Sequence, residues 1–489
     1  MKNLLPLILL LSLLSFSCEN AKTQSDPIQD EILAIENGLI PPFVVKGDST
    51  AKMNIYDRME HYKVPGVSIA VVKDGKLHWA KGYGIANTST GDSVTTETIF
   101  QAGSISKPLA ALGALKLVQE GKMALDEDIN TYLQGWKVPE NKFTETEKVT
   151  LERLLTHTAG MTVHGFPGYS QTDTFPDIIT VLEGKGNTPP IFVDTIPGSI
   201  WRYSGGGYTV MEKAVEDVSG QALEVFLAEN VLAPIGMTHS TYTQPLSESF
   251  QANASAAYDG DGKLYEGLYH NYPEQAAAGL WTTPSDLAKY YLEIQAIRAG
   301  KNDGVLSKEI VDQMLTEHKN HWGLGPALGE RDGKVVFAHG GKNAGFSNDM
   351  MGYADQGDAI IVMTSADRGT RLMAEILRGI SDYYDMNLRN PGEVELADLS
   401  SEELENLAGS YQLDQALGEI EEYKVEVTVR GKNLFVYDPN NGDENLLSPT
   451  SKTDFVDLTT GDRVEFQITQ NPVGMLWGGG YQFYKVEDK

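Results

Sequence analysis

Phe100-Gln101-Ala102-Gly103-Ser104-Ile105-Ser106-Lys107-Pro108 carries the chain from an extended apolar stretch into a periodic one. Leu109, Leu112 and Leu115 recur at three-residue spacing and Gly121 follows as a stop, so the spacing predicts a helix over 107–120. Pro108 is tolerated there because the first turn of a helix has no use for its missing N–H. A Ser-x-x-Lys at a helix start places both side chains on one face, one turn apart. A neutral amine in that position can take the hydroxyl proton. The positive helix end and partial desolvation both lower the amine pKa, and the free N–H groups of the same end favour an oxyanion. Ordinary residue usage gives about two such tetrads by chance in a chain of this length. Two occur, and context separates them. The other, Ser49-Thr50-Ala51-Lys52, has no apolar helix behind it. For Ser104 the competing reading is a capping serine beside a surface lysine.

Working outward, Val67-Ser-Ile-Ala-Val-Val72, the turn Asp74-Gly75 and Leu77 to Ile85 form a β-hairpin signal. The middle of the chain is rich in loops, punctuated by Gly165-Phe-Pro-Gly168, Thr188-Pro-Pro190 and Pro197-Gly198. Lys334 to Ala338, Ser347 to Tyr353 and Ala359 to Ser365 then read as three strands, and 370–384 as a closing helix. Strands at both ends of a region, with helices between, predict an α/β (α+β) unit whose antiparallel sheet joins its first and last strands. Residues 386–399 read as a linker. Ser400-Ser-Glu-Glu403 is a capping box opening a short helix. Beyond it Val425, Val427 and Val429, then Val464, Phe466 and Ile468, alternate with polar residues, which predicts an all-β unit over 400–489.

A chain of 489 residues exceeds the ~250–300 that one core serves, so at least two units are expected. Apolar residues at 41% and charged ones at 22% mark a globular protein. The net charge of −29 repels phosphate backbones and disfavours nucleic acid, so no nucleic-acid partner is expected. Cys18 is the single cysteine, which excludes an internal disulfide framework and a cysteine zinc site. Residues 1–17 carry an apolar run, Leu4 to Leu14, too short to span a bilayer and suited to a signal peptide. Leu14-Ser-Phe-Ser-Cys18 resembles a loose lipoprotein cleavage box, so Cys18 is the expected lipidation site and 18–45 the lipidated terminus and tether. The alternative is an ordinary signal peptide leaving a free thiol. Either way the mature chain is expected to be exported, with the bacterial envelope as its expected location; in the lipoprotein reading it touches membrane only through the N-terminal lipid.

Three further segments bear on Ser104. These are Leu154-Leu-Thr-His-Thr-Ala-Gly160, Tyr203-Ser204-Gly205 and His339-Gly340-Gly341, the last ending a predicted strand. Alone, the tyrosine triplet reads as a turn and His-Gly-Gly as a strand exit. Together, in this order, they resemble the serine β-lactamase and penicillin-binding-protein superfamily, its class C-like branch most closely. That branch includes esterases, D-stereospecific aminopeptidases and D,D-peptidases. Phe100 to Lys107 and Ala276-Ala-Ala-Gly-Leu-Trp-Thr-Thr-Pro-Ser-Asp-Leu-Ala288 also look like family segments. The resemblance covers 46–385, and the tail resembles a small lipocalin-like β domain appended to such hydrolases.

The resemblance implies Ser104 as nucleophile, Lys107 as its proton acceptor and Tyr203 as the shuttle to the leaving group. His339, Gly340 and Gly341 would edge the cleft, and the N–H groups of Ser104 and Lys342 would form the oxyanion hole. It implies no cofactor, and a peptide or small-molecule ester as substrate. Two departures stand out. Tyr203-Ser-Gly205 lacks the amide of the family's Tyr-x-Asn, and a histidine replaces the lysine that meets a substrate carboxylate. Both weaken the case for β-lactam hydrolysis and leave ester or D-amino-acid peptide cleavage. The alternatives are a true β-lactamase, or a catalytically silent protein that binds cell-wall fragments or a partner. His318-x-x-His321 lacks an accompanying ligand set of known spacing, so no metal is expected. His157 reads as a hydrogen-bonded structural residue.

Overall fold

A computed structural model describes residues 26–486, except 302–303, 416–419, 421 and 441. The leader and Cys18 lie outside the described residues. The strand Gly66–Lys73 explains why the main sheet is central. Its Val67, Ile69 and Val71 join one apolar cluster, and Ala70 and Val72 another on the opposite face. Side chains alternate across a strand, so a run that is apolar at nearly every position needs cover on both sides. The strand pairs antiparallel with Lys76–Asn87 on one flank and Ala359–Thr364 on the other. The first and last long strands of this region therefore meet, as the sequence leads one to expect. The seven-stranded sheet continues through Phe346–Tyr353 and Lys334–Asn343 to Ala327–Arg331 at its edge.

One face of the sheet is covered by Pro284–Arg298, and Ser106–Gln119 and Gly205–Ser219 complete the same core. The other face is covered by Ile55–Tyr62 and Gly369–Tyr383. Here the expectation of a polar tether through residue 45 fails. Pro27–Glu36 is a helix capped by Asp26, and its Ile32 and Ile35 are buried in this second core. Ile28, Ile32 and Ile35 do stand at i, i+4 and i+7 on one face, but three such residues among acidic neighbours are too short a run to establish a sustained period, and tertiary packing supplies the stability. Within the expected linker, Gly392–Val394 pairs in parallel with Phe43–Val45.

Glu375 fastens the covering helices together. Its carboxylate accepts from Arg58 Nε at 2.9 Å, Arg58 Nη2 at 2.7 Å and the Tyr62 hydroxyl at 2.7 Å. The Glu375 side chain is 1% exposed, so removing it leaves the half-buried Arg58 guanidinium without its carboxylate. Glu375→Ala is expected to cost about 3–5 kcal/mol, read as a lower urea midpoint at unchanged slope. A midpoint equal to the parent's refutes this account.

The capping box at Ser400 and Glu403 forms as read. Beyond it, eight strands between Gly409 and Lys485 close into an antiparallel barrel, the last pairing with the first. Tyr411, Val427, Leu434, Phe466 and Met475 fill its interior while Glu426 and Thr428 face outward. Closure removes the free strand edges of this unit.

Candidate active site

The short strand Phe100–Gln101, held by Trp281–Thr282, runs into a 3-10 turn, Gly103–Ile105, and then the helix Ser106–Gln119. Gly103 has φ +55°, and a Cβ there would lie 2.5 Å from the Lys342 nitrogen. Glycine alone permits both the conformation and the approach. Ser104, half-buried on this turn, opens on a cavity of about 340 Å³ that Lys107, Phe166, Ala277, Lys342 and Asp367 also line.

Lys107 lies one turn on and is 2% exposed. Its Nζ is 3.0 Å from Ser104 Oγ and donates to the Ala277 carbonyl at 2.8 Å. The rings of Tyr203 and Tyr208 flank it, their centroids 4.9 and 5.6 Å away. No carboxylate pairs with the ammonium among the described residues, and burial pulls its pKa from 10.5 down to about 7. The turn bearing Ala277, Gln275–Ala278, is pinned from two sides. Glu212 accepts from the Ala276 N–H at 2.8 Å, and the Asn343 side-chain amide donates to the Ala278 carbonyl at 3.1 Å. No side-chain pattern could reveal this part of the site, because the working group is a carbonyl.

Tyr203 is brought to the same place by the start of the helix Gly205–Ser219. Ser204 caps that helix through the Gly207 N–H at 2.9 Å, and its own N–H donates to His157 Nδ1 at 3.1 Å. His157 therefore anchors the backbone next to Tyr203, with ring centroids 4.2 Å apart. The Tyr203 hydroxyl is buried beside Ser104 without completing a hydrogen bond, and burial lifts its pKa well above 10. It remains a neutral phenol at physiological pH. The Gly205–207 run serves the loop over the site rather than a close pass by Ser104. A Cβ on Gly205 would lie 2.7 Å from the Phe166 ring, and one on Gly206 2.6 Å from the Thr162 carbonyl oxygen. Phe166 thus occupies the space a side chain at 205 would need.

His339, Gly340, Gly341 and Lys342 lie on the strand Lys334–Asn343, past the point where the edge strand stops pairing at Ala338. A Cβ on Gly341 would lie 1.9 Å from the Ala102 carbonyl oxygen, so the strand can approach the Ser104 turn only as glycine. Gly340 and Lys342 are exposed, Lys342 lines the cavity, and its amide nitrogen faces the turn. His339 differs from the expectation of a group that meets substrate at the cleft edge. It is 4% exposed, closed in by Tyr203 and Trp322 at ring distances of 6.2 and 5.5 Å. Burial, aided by the Lys107 charge, pushes its pKa down to about 3. It is a neutral wall of the site. Ser104, Lys107, Tyr203, His339 and Lys342 thus converge, and the structure adds Ala277, Asn343, Phe166, Trp322 and Asp367. His318 lies 3.7 Å from Glu152 and His321 3.4 Å from Glu317, each pairing with a different acid.

The Beta-lactamase family model matches residues 52–384. Penicillin-binding protein 4 of Amycolatopsis lactamdurans is 31% identical over 188 residues, covering 38% of this chain and 47% of that protein. A putative D-alanyl-D-alanine carboxypeptidase of Escherichia coli (strain K12) is 27% identical, covering 50% and 59%. The chain thus spans about half the length of the curated relatives it matches. The octameric penicillin-binding protein homologue from Pyrococcus abyssi superposes with a TM-score of 0.59 at 23% identity, over 88% of this chain and 98% of that one. The D-amino acid amidase of Ochrobactrum anthropi SV3 superposes with a TM-score of 0.56 at 19% identity, over 73% and 99%. At these identities the structural likeness is one of fold.

Proposed function

Because the chain belongs to the Beta-lactamase family, the family of the serine β-lactamases and penicillin-binding proteins, we propose that it is an exported serine hydrolase cleaving an ester or peptide/amide bond through an acyl-enzyme on Ser104. One observation carries the reading: the Lys107 amine sits 3.0 Å from Ser104 Oγ in surroundings that hold it near neutrality. The neutral amine takes the Ser104 proton as Oγ attacks the substrate carbonyl. The N–H groups of Ser104 and Lys342 receive the oxyanion. As the tetrahedral intermediate collapses, the Tyr203 phenol gives its proton to the leaving group and recovers one from the Lys107 ammonium. Water then attacks the ester carbonyl with the same groups in reverse, releasing the acid and restoring Ser104.

The substrates that fit are D-amino-acid peptides or small esters. The neutral His339 supplies no fixed cation for a β-lactam carboxylate, and Phe166 over Gly205 presents an apolar surface in place of an amide donor. Export rests on the leader, and anchoring on a lipid at Cys18. Among the described residues no helix is long and apolar enough to cross a membrane.

The test is intact-protein mass spectrometry of residues 19–489 after exposure to a fluorophosphonate and, separately, a penicillin. Assays with D-alanyl para-nitroanilide, a para-nitrophenyl ester and a chromogenic cephalosporin accompany it. The expected result is one fluorophosphonate adduct on Ser104, with turnover of the anilide or the ester above that of the cephalosporin. Cephalosporin turnover exceeding both makes the protein a β-lactamase. Folded protein that takes neither label is a silent binding protein.

A further inference from the structure

The C-terminal barrel has a feature the proposed hydrolysis does not use. Its interior is filled away from one rim, with Tyr411, Leu434 and Met475 0% exposed. A cavity of about 300 Å³ nevertheless opens at one rim. Leu413 ends one strand and Val425 stands near the start of the next, as Trp477 ends a strand and Tyr481 begins its neighbour. In an up-and-down barrel such positions share one mouth, and a small eight-stranded barrel has room for one small ligand. The floor is apolar, with Val436 and Phe483 buried, and the wall is aromatic, with Tyr423, Trp477 and Tyr481. Three carboxylates, Asp438, Asp443 and Asp462, stand around it. Among the described residues lining the cavity the one cation is Arg371, from Gly369–Tyr383, whose Nη2 is 3.3 Å from Asp462 Oδ2. Residues 391–489 hold 20 acidic against 7 basic side chains, so the field of the whole unit draws cations toward this mouth.

We propose that the barrel mouth is a second small-molecule site, which takes an organic ammonium with an aromatic body. The apolar floor buries the body, the ring faces receive the ammonium, and the carboxylates neutralise it. An anion of the same shape meets three like charges.

The test is titration calorimetry of residues 19–489 with 2-phenylethylamine, against 3-phenylpropanoate as the matching anion. The expected result is saturable binding of the amine and none of the anion. Trp477→Ala, and separately the Asp443→Asn/Asp462→Asn pair, should each weaken the amine by about tenfold without changing hydrolysis at Ser104. Tyr481→Ala, at an exposed position, replaces Trp477→Ala if that variant does not fold. Absence of amine binding, or equal binding of the anion, overturns the proposal. Undiminished binding in the folded variants places the amine outside the barrel mouth and overturns it as well.

Discussion

Ser104→Ala is expected to reduce turnover of every accepted ester or amide by about 10⁴–10⁶-fold while leaving the fold intact. The loss is large because the remaining groups cannot act without the oxygen they activate. Lys107 would have no hydroxyl to deprotonate, and the amides of Ser104 and Lys342 would have no intermediate to hold. The fold is spared because Ser104 Oγ contributes a single contact, the one to Lys107 Nζ. The measurement is kcat/KM on the best substrate of the panel, beside a urea midpoint. Residual turnover within tenfold of the parent would remove Ser104 from the mechanism.

Lys107→Met separates catalysis from stability in opposite directions. Methionine keeps the length of the side chain and its fit among Tyr203 and Tyr208, but it has no amine. Loss of the general base is expected to lower kcat/KM by about 10²–10⁴-fold. Stability should rise. An amine of pKa about 7 in the fold and 10.5 when solvated costs roughly 4 kcal/mol at pH 7. The sign follows from proton counts. Between these two values the unfolded chain holds a proton that the native protein lacks, so stability increases with pH across that window. The penalty is greatest below pH 7 and fades toward 10.5, and the advantage of Lys107→Met should fade with it. The parent's kcat/KM should rise through pH 7 as the amine becomes neutral. It should then stay level, because Tyr203 keeps its proton well above pH 10. A profile flat across neutrality, or a methionine variant no more stable than the parent, refutes a neutral Lys107.

These expectations began in local sequence. The Ser-x-x-Lys spacing and the Leu109, Leu112, Leu115 periodicity placed two side chains one helical turn apart before any tertiary information. Alternation in Val425 to Val429 placed the barrel strand, and the apolar run Val67 to Val72 placed the buried one. The helix at Pro27–Glu36 was not legible because its stability comes from the second core, where it packs against Gly369–Tyr383. Phe166 escaped because no rule of spacing links it to Gly205, some forty residues away in sequence.

Sequence by itself determined most of the long elements and the pairing of Ser104 with Lys107. Each rests on periods of two or 3.6 residues or on a contact within one turn, and such relations hold wherever the segment lies. Only the tertiary structure decided that His339 is a neutral wall, that the Ala277 carbonyl holds the amine and that the barrel mouth is aromatic and acidic. Those properties depend on exclusion of water and on segments far apart in the chain being pressed together. A residue's letter states which charge it can carry, and burial decides whether it does.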